Sequence, residues 1–183
     1  MRFALGFAAF ALVALAFPAS ARDKRPVTAS RVEQEIIAGG AKKALARLYD
    51  DEATWAVVTS RVADGGRDWL KVAERLLSVA SDPAAYDLEA AVGDALESSP
   101  EHVLALADEK SEIALSWVCA ETATVAEDPS DEERIDLLSA REKAVTGVKD
   151  PALAKQRAAC LKGLAQARQA VERELRDSTR KIG

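Results

Sequence analysis

Few residues in this chain could do chemistry, and their types and spacing narrow what that chemistry could be. Cys119 and Cys160 are the two cysteines, with no third to compete for either. In an oxidising compartment such a pair favours one disulfide, Cys119–Cys160, over a metal site or a reactive thiol; the alternative is two buried, unpaired thiols. His102 is the only histidine, in the first turn of a short helix after Ser99-Pro100. A lone imidazole cannot build a zinc site without further nitrogen or sulfur ligands. No Gly-x-Ser-x-Gly elbow or spare cysteine offers it a nucleophile to activate, so it reads as a structural histidine. Gly39-Gly40 and Gly65-Gly66 lack the Lys and Ser/Thr of a phosphate-cradling loop, and the acidic stretch from Glu127 to Asp136 lacks the central glycine of a calcium loop. The chain is therefore expected to use no cofactor and no metal.

Carboxylates are the abundant reactive groups, and they are unevenly placed. The net charge is −5 over the chain. With residues 1–21 set aside it is −6, divided as −2 for residues 22–96, −10 for 97–136 and +6 for 137–183. Glu127, Asp128, Asp131, Glu132, Glu133 and Asp136 form a candidate acidic face for a cationic protein partner. The competing reading is that these acids favour helix N-termini and are partly neutralised by the basic last helix. So acidic a surface excludes nucleic acid as a partner class. A carboxylate pair acting on cell-wall polymer is the enzymatic alternative, with Glu101 or Glu112 as one member. Such a pair must face across a cleft, which spacing within one helix does not provide.

The compartment is read from the N-terminus. Arg2 is a short positive region, Phe3–Phe17 an apolar run, and Ala19-Ser20-Ala21 a small-residue cleavage site, so residues 1–21 are expected to be a cleavable signal peptide. The apolar run is shorter than the ~20 residues a spanning helix needs, and Pro18 ends it. No stable membrane insertion is expected after cleavage, and the location is periplasmic or secreted.

The elements that must position these groups are helical. Apolar residues recur at spacings of three and four, all four Phe lie in the leader, and no period-two pattern is present. Residues 22–30 read as a flexible lead-in and 31–183 as a single all-α domain. Helices are predicted over 31–49 (weakened at Gly39-Gly40), 51–63, 68–79, 83–97, 100–107, 110–126, 131–148 and 151–179. Their connections of two to five residues make sequential neighbours antiparallel hairpins. Four starts carry Asp or Ser before Pro, at Asp82-Pro83, Ser99-Pro100, Asp128-Pro129 and Asp150-Pro151, where the side chain can cap and Pro costs no hydrogen bond. Ser130-x-x-Glu133 adds a capping box. The segment 110–126 is apolar or small on nearly every side, which predicts an enclosed helix with Trp117 and Cys119 in the core.

Two hairpins match at an offset of about 34 residues: Val58 with Val92, Val62 with Leu96, Trp69 with Val103, Leu70 with Leu104, Ala73 with Ala107, and the turn Asp64-Gly65-Gly66 with Ser98-Ser99-Pro100. The stretch Trp55–Asp108, with its Asp-Gly-Gly-Arg-Asp-Trp-Leu turn, resembles the small exported HEAT-like helical-repeat proteins of Gram-negative bacteria. The resemblance implies a right-handed α-solenoid, or else an irregular helical bundle, with a long C-terminal helix, and it implies no activity. The expected function is a non-enzymatic, monomeric or weakly dimeric protein that binds a protein partner in the cell envelope, in an adaptor, chaperone-like or immunity-type role. The paired-carboxylate enzyme, and an envelope structural protein that self-associates through its last helix, are the alternatives.

Overall fold

Residues whose apolar positions repeat every three to four must bury one helical stripe each, and the short links leave only stacked hairpins to do it. The computed structural model describes residues 26–107, 113, 115–120 and 129–182, and every regular element among them is helical. The predicted signal peptide lies outside the described residues, as do Asp108–Glu112, Glu127 and Asp128.

The predicted first helix is two: α1 (Ala29–Gly39) and α2 (Ala41–Tyr49). Gly40 separates them at φ 86, a left-handed conformation costly for other residues, so the glycine pair is a helix stop. Thr28 caps α1 by accepting from Arg31 N–H at 3.3 Å, so the helix begins at Ala29, two residues upstream of the expected start, and takes in Ala29 and Ser30 of the expected flexible lead-in. Next come α3 (Glu52–Ala63), α4 (Arg67–Leu77), α5 (Ala84–Ser98) and α6 (Pro100–Leu106). Of the predicted helix 110–126 the described part is α7 (Leu115–Ala120), in which Leu115, Val118 and Cys119 are buried; the side chain of Trp117 lies outside the described residues. α8 (Asp131–Gly147) and a short 3-10 turn (Pro151–Leu153) lead into the long α9 (Ala154–Ile182).

The helices form two layers. α2, α3 and α5 pack side by side in one, α1, α4 and α6 in the other, with α7 and α8 continuing from α5 and α9 lying against both. Four of the five pairs related by the 34-residue offset occupy matching environments, Val58 and Val92, Val62 and Leu96, Leu70 and Leu104, and Ala73 and Ala107 being fully buried, whereas Trp69 is half-buried and its counterpart Val103 fully buried. The turns stack as well. Ser98 Oγ donates to Asp64 O at 3.3 Å, and His102 Nδ1 lies 3.1 Å from Gly65 O. A carbonyl can only accept, so Nδ1 carries the proton. The structural reading of His102 thus acquires a specific task, holding one hairpin turn on the next.

The start signals divide. Asp150 accepts from Ala152 N–H at 2.8 Å, and Ser130 with Glu133 makes the full capping box. Pro100 takes the first position of α6, but the Ser99 side chain makes no cap bond. Asp82-Pro83 departs from the prediction: the bond is cis, Pro83 sits at the cap position and α5 begins at Ala84 without a side-chain cap. At the far end Cys119 and Cys160, both fully buried, are joined with Cα atoms 5.3 Å apart, pinning α7 to α9. α9 docks in cis through Cys160, Leu164 and Val171, and Arg168 in this seam pairs with Glu142 of α8.

Candidate functional site

α3 and α5 lie side by side, and where their facing residues are small a groove opens. Ala56, Ser60 and Ala63 recur on α3 at helical spacing, and with Trp55 and Thr59 they form one wall and the floor; Glu52, Asp87 and Asp94 bring the carboxylates. The groove has a volume of about 430 Å³. α3 is fixed at its start by Asp51, which accepts from Thr54 N–H at 3.1 Å.

Four polar side chains of the groove, Trp55, Thr59, Asp87 and Asp94, are held by neighbours. Trp55 is buried, and its indole Nε1–H donates to Asp87 Oδ2 at 2.8 Å across the two helices. Tyr49 stacks edge-on against Trp55 with ring centroids 5.3 Å apart, which fixes the indole further. Thr59 turns its hydroxyl back to Trp55 O and Ala56 O, both at 3.2 Å, and so offers the groove mainly its methyl face. Burial pushes the Asp94 carboxyl above its ordinary range, and the charge and hydrogen bond of Arg141 pull it partly back. Arg141 comes from α8 and is completely buried, with Nη2 3.3 Å from Asp94 Oδ1. It passes α5 at Gly93, where a Cβ would stand 3.0 Å from Nη2.

The arrangement suits a cation on an aliphatic stem. The carboxylates supply charge, the alanines and the indole take the methylenes, and Trp55 and Arg141 hold two of the three acids in place. Among the described residues no three His, Cys, Asp or Glu side chains are grouped closely enough to hold a metal ion. Asp94 is a groove carboxyl raised by burial, a property that paired-carboxylate chemistry requires of one member. Glu101 is exposed and lines a separate hollow of about 320 Å³ with Ser98, Pro100, His102 and Val148. Glu112 lies outside the described residues.

The acids singled out around position 130 begin α8. Glu133 is occupied by the capping box, and its carboxyl is held below the ordinary range by the Ser130 hydroxyl and backbone N–H. Asp131 pairs with Arg134 at 3.0 Å, which also reaches Glu174 of α9 at 2.9 Å. Glu132 and Asp136 are exposed, four positions apart on one face of the helix. The described part of this acidic set therefore includes two acids engaged in helix-end and interhelical contacts. Sequence reasoning missed the groove, although one signal was available: Gly93 in the middle of an apolar helix marks a close approach of another group.

Comparison with protein-family models, with curated proteins and with solved structures gives no match to this chain.

Proposed function

We propose that this is an exported, non-enzymatic helical protein that binds a protein partner in the cell envelope, and that the α3–α5 groove receives a lysine or arginine side chain of that partner. The observation carrying this reading is the groove itself: Glu52, Asp87 and Asp94 around a floor of Trp55, Ala56 and Ala63, with Asp87 preset by the indole. Stacked helical hairpins of the HEAT-like kind offer extended surfaces for protein ligands. An adaptor, chaperone-like or immunity-type role would each use such a surface. A buried disulfide supports an oxidising location. Among the described residues no helix is long and apolar enough to cross a membrane.

The test is site-specific photocrosslinking in the native envelope from Ala56, in the groove, and from Glu132, on α8. The groove reading expects an adduct from Ala56 that disappears in the Glu52→Gln/Asp87→Asn variant. Adducts from Glu132 alone would move the binding face to α8, and no adduct from either position would refute partner binding at both.

A second reading, an enzyme acting on wall polymer, draws on the raised carboxyl of Asp94 in the same groove. It predicts release of soluble fragments from purified peptidoglycan by the wild type and none by Asp94→Asn. Absence of release by the wild type rules it out.

A further inference from the structure

α9 has two faces of opposite character. At 3.6 residues per turn, Cys160, Leu164, Val171 and Leu175 fall on the side that meets the body; the first three are buried and Leu175 packs partly against the core. On the far side Lys155, Lys162, Arg173, Arg176 and Arg180 fall within an arc of about 60°, all exposed. The uncharged residues of the same stripe are Ala158, Ala159, Gln166 and Gln169, also exposed, so it has no large apolar anchor. From first to last the row is roughly 37 Å long at the rise of an α-helix. Two further cations of the helix point elsewhere, Arg157 to the Val148 carbonyl and Arg168 to Glu142. Among the described residues acids meet the row at its C-terminal part, where Glu172 lies 4.0 Å from Arg176 and Asp177 flanks it. The Cys119–Cys160 bond and the buried Leu164 fix the rotation of α9, so the row always faces outward.

Like charges lined up in water repel and contribute nothing to the core. We propose that this row docks the protein on the anionic phospholipid headgroups of a membrane surface. Shape selects this occupant. A compact acidic pocket, such as the 430 Å³ groove of a second copy, takes one or two side chains, whereas a planar headgroup layer meets all five at once. The chain's net charge of −5 does not oppose contact, because charges beyond a Debye length of about 8 Å are screened at physiological salt. With no large apolar side chain in the row, attachment is peripheral and electrostatic, each cation contributing roughly fivefold in affinity. This inference does not depend on the groove reading.

Sedimentation of the purified protein with phosphatidylcholine vesicles, with and without phosphatidylglycerol, tests it. Binding should require phosphatidylglycerol, disappear at high salt, and weaken by at least roughly 10²-fold in Lys155→Gln/Lys162→Gln/Arg173→Gln/Arg176→Gln. These positions are exposed, and circular dichroism checks that the variant is folded. Glu52→Gln/Asp87→Asn should bind vesicles as the wild type does. Equal binding to neutral vesicles, no binding to anionic ones at low salt, or full binding by the glutamine variant would each overturn the proposal. So would a salt-sensitive dimer that the glutamine substitutions abolish while vesicles remain unbound, since the row would then belong to a second copy.

Discussion

Alanine at position 65 puts a methyl group where the next hairpin turn already stands. Gly65 has φ 74, and a Cβ built there lies 2.5 Å from Ser99 Cβ, 2.6 Å from Ser99 Oγ and 3.0 Å from Ser98 Oγ. Two costs follow and can be separated. The left-handed backbone costs a non-glycine residue about 1–2 kcal/mol. Forcing the turns apart adds a typical overpacking cost of about 1–3 kcal/mol and disturbs the His102 bond to Gly65 O. Gly65→Ala should therefore lose about 2–5 kcal/mol by urea denaturation, and Tm should fall by roughly 5–15 °C for a domain of this size. Gly66→Ala is the control, because Gly66 has φ −64 and its nearest neighbour, Trp69 Cδ1, is at an ordinary 3.9 Å. It should cost under about 1 kcal/mol. Ser99→Gly in the Gly65→Ala background removes the obstructing Cβ and Oγ and should recover the packing share, leaving the backbone share. If Gly65→Ala is no worse than Gly66→Ala, or Ser99→Gly recovers nothing, the turns do not stack as described.

The remaining predictions concern the bridge, the buried arginine and two carboxyls of opposite tendency. Replacing both Cys119 and Cys160 by alanine should lower stability by about 3–4 kcal/mol in the loop-entropy account, measured by denaturation against the oxidised wild type. Gly93→Ala should destabilise by about 1–3 kcal/mol despite alanine's better helix propensity, because the guanidinium 3.0 Å away is fully buried and held by Asp94; a stabilised variant would show that Arg141 can move. The Asp94 carboxyl is raised by burial, so its contribution is present below the ordinary carboxylate range and lost as pH rises through its folded value. Asp94→Asn should flatten that descending part of the stability curve. Glu133 is depressed by Ser130, so its contribution is present above the ordinary range and lost as pH falls through its folded value. Ser130→Ala removes the hydroxyl but not the backbone N–H that also donates to Glu133, so it should reduce that acid limb, and both curves are read from denaturation midpoints across pH.

Local signals were legible where they close on themselves within a few residues. The capping box at Ser130 and the Asp150 cap depend on side chains reaching backbone one turn away, and both form. The 34-residue match was legible because Val58, Val62, Leu70 and Ala73 share burial with their counterparts, which residue type alone records. The glycine pair at Gly39-Gly40 marks a weak point in the sequence but does not by itself say that the chain breaks there, which rests on the positive φ of Gly40. Asp82-Pro83 differs from its expectation because the signal for a proline inside a helix start is the same as for one in the preceding turn. The groove was illegible for a different reason: Glu52, Asp87 and Asp94 lie on two helices, and only the packing of α3 on α5 brings them together. The cationic row on α9 lies in the sequence at helical spacings of 7, 11, 3 and 4, but charges are visible as a surface only once the opposite face is known to be buried.

The bond between Cys119 and Cys160 also governs what a cut would do. It closes a ring of covalent chain around residues 120–159, which includes the whole of α8. A protease that cleaves once anywhere in that ring leaves the two pieces joined, with α9 still held against α7. The nicked protein would run as one species on a non-reducing gel and as two after reduction, so damage in this part of the molecule severs the chain without releasing the helix that carries its positive face.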